Sequence, residues 1–191
     1  IHKKIVNTLD LFFLFRPIMF FVVWLMLCIG MYLNFFSSSL FKREIDLYNV
    51  GFDLSTIFLF LGMSCLFSGI SILNQIADKE SDKINKKLFL MNNKFSDENA
   101  LKIKNLILLL SSIFLLICNW KVLILGFIIY FFAGYLYNKK PYEFNKKPIY
   151  SLICNFITGF LLISSGYIYN VELSKIINFN YFILVIPYLL C

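Results

Sequence analysis

LSTIFLFLGMSCLFSGISILNQIADKESDKIN, residues 54–85, runs from twenty-four uncharged, mostly apolar residues directly into a stretch dense in acids and lysines. A helix crossing the hydrocarbon of a bilayer needs about 20 consecutive apolar residues, so Leu54–Ala77 reads as a span. Its apolar positions are continuous rather than alternating. A membrane barrel would instead show shorter segments with polar residues at every second position. Five more charge-free stretches have the same character: Pro17–Phe41, Asn105–Trp120, Val122–Asn138, Pro148–Val171 and Ile176–Cys191. The third and fourth stretches along the chain are short, but Lys102 and Lys104 can snorkel at one end, and Asn119-Trp120-Lys121 makes a tight polar turn with an interfacial Trp between them. That pair reads as a helical hairpin. The predicted fold is all-α: a polytopic transmembrane bundle of six spans forming a single domain over residues 1–191.

Composition agrees. The chain is 60% hydrophobic and 19% aromatic against 15% charged, with a mean hydropathy of +0.77, far from the balance of a soluble domain. Fourteen of the eighteen basic residues fall on one predicted side: Lys3, Lys4 and Arg16; Lys79, Lys83, Lys86, Lys87, Lys94, Lys102 and Lys104; Lys139, Lys140, Lys146 and Lys147. Only Lys42, Arg43, Lys121 and Lys175 lie on the other. By the positive-inside rule the N-terminus and the second and fourth loops face the cytoplasm. The expected location is therefore an integral membrane protein, of the inner membrane in a bacterium. The net charge of +7 is chiefly a topology signal, and basic residues dispersed along membrane edges argue against a nucleic-acid partner. Cys28, Cys65, Cys118, Cys154 and Cys191 stand singly in apolar runs and read as small buried hydrophobes. The chain begins at Ile1 rather than Met and stops inside an apolar run, so a fragment truncated at the C-terminus is expected.

Chemistry concentrates where the second span ends. Asn74, Asp78 and Asp82 are spaced i, i+4, i+8. On a continuing helix each step of four rotates by about 40° and rises by about 6 Å, so all three side chains line one face. Two carboxylates so placed repel. A Mg²⁺ ion suits them, being hard, oxygen-seeking and usually held by one or two carboxylates plus substrate phosphates. A solvated helix end, with Lys79 and Lys83 pairing the acids, fits the same spacing. An ionisable cluster at the mouth of an apolar helix tilts the balance toward function, and Ser64, Ser68 and Gly69 would let neighbouring helices approach closely. Ser96-Asp97-Glu98 reads as a helix start, with Ser96 as N-cap and the acids at the positive end of the dipole.

Asn74-x-x-x-Asp78-x-x-x-Asp82 resembles the first aspartate-rich motif of the UbiA-type intramembrane prenyltransferases, placed as in that family after the second transmembrane helix. The longer Asp78-x-Glu80-x-Asp82-x-x-Asn85 is similar to the branch that includes chlorophyll synthases and geranylgeranylglyceryl phosphate synthases. Arg16-Pro17 opens the first span as the family's Arg-Pro does. Tyr137-Asn138-Lys139-Lys140-Pro141, followed by Lys146-Lys147-Pro148, stands in the place of its Tyr/Lys motif, in a register of Tyr135 with Lys139 or Tyr137 with Lys140. Two departures stand out. Gln75 occupies a position where the family commonly has Asp, and Lys87-Leu88-Phe89-Leu90 replaces an Arg-Pro-Leu-Pro stretch, leaving Lys86 or Lys87 for any basic contact from that loop.

The resemblance implies a nine-helix fold, of which this chain covers roughly the first six, and a second aspartate motif further on. It implies Mg²⁺ as cofactor, with Asn74, Asp78 and Asp82 as metal residues. The substrates implied are a polyprenyl diphosphate and a lipophilic or aromatic acceptor, of quinone, chlorophyll-like or lipid biosynthesis. Asp78, Asp82 and Tyr137 are the implied catalytic residues, with Asn74, Arg16, Lys86, Lys87, Lys139, Lys140 and Lys146 at the substrate. Arg16 also reads as an ordinary basic anchor of a membrane helix, and Tyr137 as an interfacial belt residue. Two other functions compete: a transporter, whose ionisable residues would sit nearer the bilayer midplane, and an enzyme of the same fold moving phosphoribose. A second D-x-x-x-D beyond Cys191 would favour prenyl transfer.

Overall fold

The computed structural model describes residues 9–10, 12–40, 53–85 and 95–169, and every regular element among them is helical. A helical turn through Phe12–Leu14 leads into α1, Ile18–Leu40; α2 is Leu54–Ala77 and the short α3 is Lys79–Ile84. Then come α4, Asp97–Cys118, and α5, Trp120–Ile129, which continues as a π-helical segment over Tyr130–Leu136. A 3₁₀ turn, Phe144–Lys146, precedes α6, Pro148–Ile168. Three of these, α2, α4 and α6, are long and apolar enough to cross a membrane by length and composition, and the first turns of α1 and the α5 segment form two shorter apolar helices. The expected span Leu54–Ala77 coincides with α2. The expected sixth span, Ile176–Cys191, lies outside the described residues.

The helix boundaries follow from capping. Asp53 accepts from the Thr56 amide at 2.8 Å to start α2, and Ser96 accepts from the Asn99 amide at 3.3 Å to start α4, with Asp97 and Glu98 in its first turn. That start lies eight residues ahead of the charge-free stretch Asn105–Trp120, so the third helix is longer than the apolar run alone indicates. Asn119 ends α4 and opens α5 by accepting from the Lys121 amide at 3.0 Å, which makes the predicted hairpin turn. Pro148 sits at the first position of α6, where its missing N–H costs nothing.

Close helix approach depends on small residues. The most extensive pairings are α2 with α4 and α1 with α6. At the second, a Cβ on Gly30 would collide with the Ile163 carbonyl and one on Gly166 with the Leu27 carbonyl, so the two backbones touch where neither residue has a side chain. At the first, Gly62 and Gly69 receive Leu115 and Leu108, and Ser111 donates to the Gly62 carbonyl at 2.8 Å. Val23, Leu27, Leu59, Met63, Leu66, Leu115, Val122, Ile129 and Leu162 fill the middle. Outward faces stay apolar, with Phe21, Leu25, Leu106, Leu116, Phe127 and Leu152 all exposed, as in a helix that meets hydrocarbon rather than water. Five other buried hydroxyls are satisfied within their own helices: Ser64, Ser68, Thr158, Ser164 and Ser165 each donate to the carbonyl four residues back. Of the cysteines, Cys154 is buried and Cys65 and Cys118 half-buried, but Cys28 is exposed on α1 and corrects the expectation of a buried hydrophobe; Cys191 is outside the described residues.

Candidate active site

Asn74, Asp78 and Asp82 were expected on one uninterrupted helix. The helix instead breaks at Asp78, whose φ of −88° and ψ of 2° separate α2 from α3. The break is shallow, because the Asp78 amide still donates to the Asn74 carbonyl at 2.9 Å and the Asp82 amide to the Asp78 carbonyl at 2.9 Å. The three residues therefore remain on successive turns, with the side chain of Asp78 at the joint. Asp78 and Asp82 are half-buried and Glu80 is exposed. Lys79 turns away from its neighbouring acids and pairs with Asp97 at the start of α4, 2.8 Å away.

Two other segments reach this end of the bundle. The Gln75 amide nitrogen donates to the Leu14 carbonyl at 2.7 Å and to the Ser71 carbonyl at 3.3 Å, which fastens the segment before α1 against α2. A carboxylate at position 75 has no proton to donate there, so the departure from the family's usual Asp has a structural counterpart. Two residues on, Arg16 holds a left-handed backbone with φ of 49°, a conformation that costs a non-glycine residue on the order of 1 kcal/mol and persists only when its surroundings impose it. Among the described residues no ion pair engages its guanidinium.

The α5–α6 connection supplies the third segment. Asn145 donates from its side-chain nitrogen to Oδ1 of Asp78 at 3.1 Å, across 67 positions of sequence. This residue was not singled out from the sequence; an Asn among lysines in a loop gives no local signal of such a contact. The loop is stiffened by rings running from Phe131 through Tyr135, Tyr142 and Phe144 to Tyr150, with successive centroids 4.9–6.1 Å apart. The Lys139 ammonium sits 4.9 Å over the Tyr135 ring, and Lys147 lies 5.7 Å from both Phe144 and Tyr150. Tyr137 accepts from Ser151 at 3.1 Å and Lys140 is exposed. Lys146 is paired with Glu143 at 2.6 Å, and that hydrogen bond, helped by the charges of Lys140 and Lys147, holds the Glu143 carboxyl below its ordinary range. Lys86 and Lys87 lie outside the described residues.

One electrostatic feature marks this end. The side-chain oxygens of Asn74, Asn138 and Asn145 are buried and have no hydrogen-bond partner among the described residues. Asn138 spends its amide protons on the Ala133 and Gly134 carbonyls, both at 3.1 Å, closing the π segment, while its oxygen is left over. A buried acceptor without a donor costs about 1–3 kcal/mol, and such groups in a folded protein call for a water, an ion or a ligand. Among the described residues no three acidic, histidine or cysteine side chains gather as a metal set; the oxygens on offer are carboxylates and amides together.

No curated protein and no solved structure is significantly similar to the chain. The model of the UbiA prenyltransferase family matches residues 47–191 of the 191 residues, and the chain belongs to that family.

Proposed function

We propose that this chain carries the first half of the site of a Mg²⁺-dependent enzyme that transfers an isoprenyl chain from an allylic polyprenyl diphosphate to an aromatic or glycerol-phosphate-type acceptor. Family membership implies prenyl transfer from a polyprenyl diphosphate. The observation that carries the reading is the joining of Asp78 to Asn145, which draws the acidic motif and the lysine-bearing loop together at one end of the bundle. On this reading the chain belongs to the six-span part of a nine-helix membrane fold, with its N-terminus and these loops in the cytoplasm.

The residues fit a hard divalent cation. Asp78 and Asp82 supply anionic oxygens and Asn74 a buried amide oxygen without a donor, the donor type Mg²⁺ takes alongside substrate phosphates. When bound, the ion neutralises the diphosphate as a leaving group. Asp78, Asp82 and Asn74 would hold it; Lys139, Lys140 and Lys146, with Lys86 and Lys87 on the positive-inside reading of the sequence, would place positive charge around the diphosphate and favour its departure. Arg16, which lies before the family match, follows the turn that Gln75 anchors at Leu14 and is a further candidate to meet the diphosphate. Tyr137 sits between the lysines and α6 and offers its hydroxyl to a phosphate oxygen. As the bond from C1 to the diphosphate oxygen breaks, the allylic carbon gains cation character. The acceptor's nucleophilic atom bonds C1 and gives up its proton, and diphosphate departs with the electron pair of the broken bond.

The test uses membranes containing the full-length protein, supplied with Mg²⁺, allylic diphosphates of several lengths and phenolic or glycerol-phosphate acceptors. Asp78→Ala and Asp82→Ala should each lower transfer by at least about a hundredfold while the protein still inserts in the membrane. Unchanged turnover in both variants would sink the assignment.

A further inference from the structure

We infer that Asn145 belongs to the same site as Asp78: its amide nitrogen sets the carboxylate and its amide oxygen faces the cation. The inference rests on the cation reading above and adds to it a residue from a different element.

The side chain has two polar atoms with different fates. Nδ2 is committed to Oδ1 of Asp78 at 3.1 Å. Oδ1 is buried and has no partner among the described residues. Exchanging the two atoms would not help, since it would set the amide oxygen against a carboxylate oxygen, acceptor against acceptor. If Asn145 were only a strut between the loop and α2, nothing would require an oxygen to be buried without a donor. One turn before Asp78, Asn74 has the same unmet oxygen. Asp78 is thus flanked by two amide oxygens, one from its own helix and one from the α5–α6 loop, each lacking a positive partner. A divalent cation of the oxygen-seeking class supplies what both lack. A hydrogen bond to one oxygen of Asp78 fixes how the carboxylate is turned, the usual work of a group that orients a metal ligand.

A consequence follows for the loop. The ring ladder from Phe131 to Tyr150 ties residues 139–147 to both flanking helices. Asn145 joins that stiff loop to the cation, so Lys139 and Lys140 are brought into register with the diphosphate when the ion is bound.

Mn²⁺ serves as probe, because its binding to the purified full-length protein is read from the loss of the free-ion paramagnetic resonance signal without any turnover. Wild type should bind Mn²⁺ saturably, and Asp78→Asn should abolish this. Asn145→Leu should weaken it by about 10–100-fold. Asn145→Asp puts a third anionic oxygen at the ion, so Mn²⁺ should raise its unfolding temperature by more than it raises that of wild type, although the apo variant is less stable. Binding in Asn145→Leu within twofold of wild type overturns the inference. If that variant does not fold, Asn145→Asp decides: a Mn²⁺-induced shift no larger than wild type's returns Asn145 to the role of a strut. If wild type shows no Mn²⁺ binding that depends on Asp78, the cation reading itself falls, whereas Asp78-dependent binding indifferent to position 145 removes only this inference.

Discussion

Asn119 and Asn145 each bridge distant parts of the chain, at opposite ends of the bundle, and they are treated differently. Asn119 uses both polar atoms: its oxygen accepts from the Lys121 amide at 3.0 Å and its nitrogen donates to the Tyr169 carbonyl at 2.9 Å. Around it Asp53 caps α2, and Thr56 links Asp53 to the Tyr169 hydroxyl at 2.7 and 3.2 Å. Asn145 uses one polar atom and leaves its oxygen buried without a partner among the described residues, as Asn138 does at its end of the bundle, where the Asn74 oxygen is also unmet. The same residue type is thus a finished joint in one place and an unfinished one in the other. Groups buried in low dielectric are costly unless paired, so the first end is built for stability. The second carries a cost that a water, an ion or a ligand would recover.

The comparison is most exposed to a substitution at the finished end. Asn119→Leu removes a helix cap worth about 0.5–2 kcal/mol and an interhelical bond worth about 0.6 kcal/mol on average in membrane bundles. A loss of about 2 kcal/mol is expected in unfolding from detergent micelles. It should be the same with and without Mn²⁺, and prenyl transfer per folded molecule should hold. A loss that Mn²⁺ restores would mean that both ends answer to the ion and that the contrast is false. Next in size is Asp53→Ala at the same end, which removes the α2 cap and the Thr56 hydroxyl's bond to it and should cost about 1 kcal/mol, again indifferent to Mn²⁺. Should this loss exceed that of Asn119→Leu, the weight of the finished end rests on α2 rather than on the turn that joins α4 to α5.

How much of this was legible in the sequence differs between the two ends for a physical reason. Asn119 stands between two apolar runs beside Trp and Lys, so local composition alone marks a turn, and α2 agrees residue for residue with its apolar run. Asn74, Asp78 and Asp82 were legible through helical spacing, which the retained i, i−4 bonds preserve. The break at Asp78 was not, because no Gly or Pro marks it. Asn145 was invisible because its role is a contact across 67 residues, which local pattern does not encode. The π segment over Tyr130–Leu136 lies in an apolar stretch that reads as plain helix. The early start of α4 was half legible: the cap at Ser96 is a local signal, but the charges at Asp97, Glu98, Lys102 and Lys104 hide the helix from a search for uncharged runs. The family's usual Asp at the position of Gln75 told only that something differs; the Leu14 carbonyl tells what.

The smallest expected effect lies beside the unfinished end. Lys79 is next to Asp78 in sequence, and a sequence-based pairing with the neighbouring acids is reasonable, yet its ammonium goes to Asp97 on α4 at 2.8 Å. The two side chains are 28% and 48% exposed, so water and salt screen the pair, and such surface pairs contribute about 0–1 kcal/mol. Lys79→Met should therefore shift unfolding by less than about 1 kcal/mol, an effect that fades in high salt. Transfer should stay within about twofold of wild type, because the charge removed is already paired with Asp97, which is not one of the residues proposed to hold the cation. A tenfold fall in transfer with stability intact would place Lys79 among the groups that meet the diphosphate. The boundary of the unfinished end would then extend from Asp78 into α3, and the Asp97 pair would be the arrangement that substrate displaces.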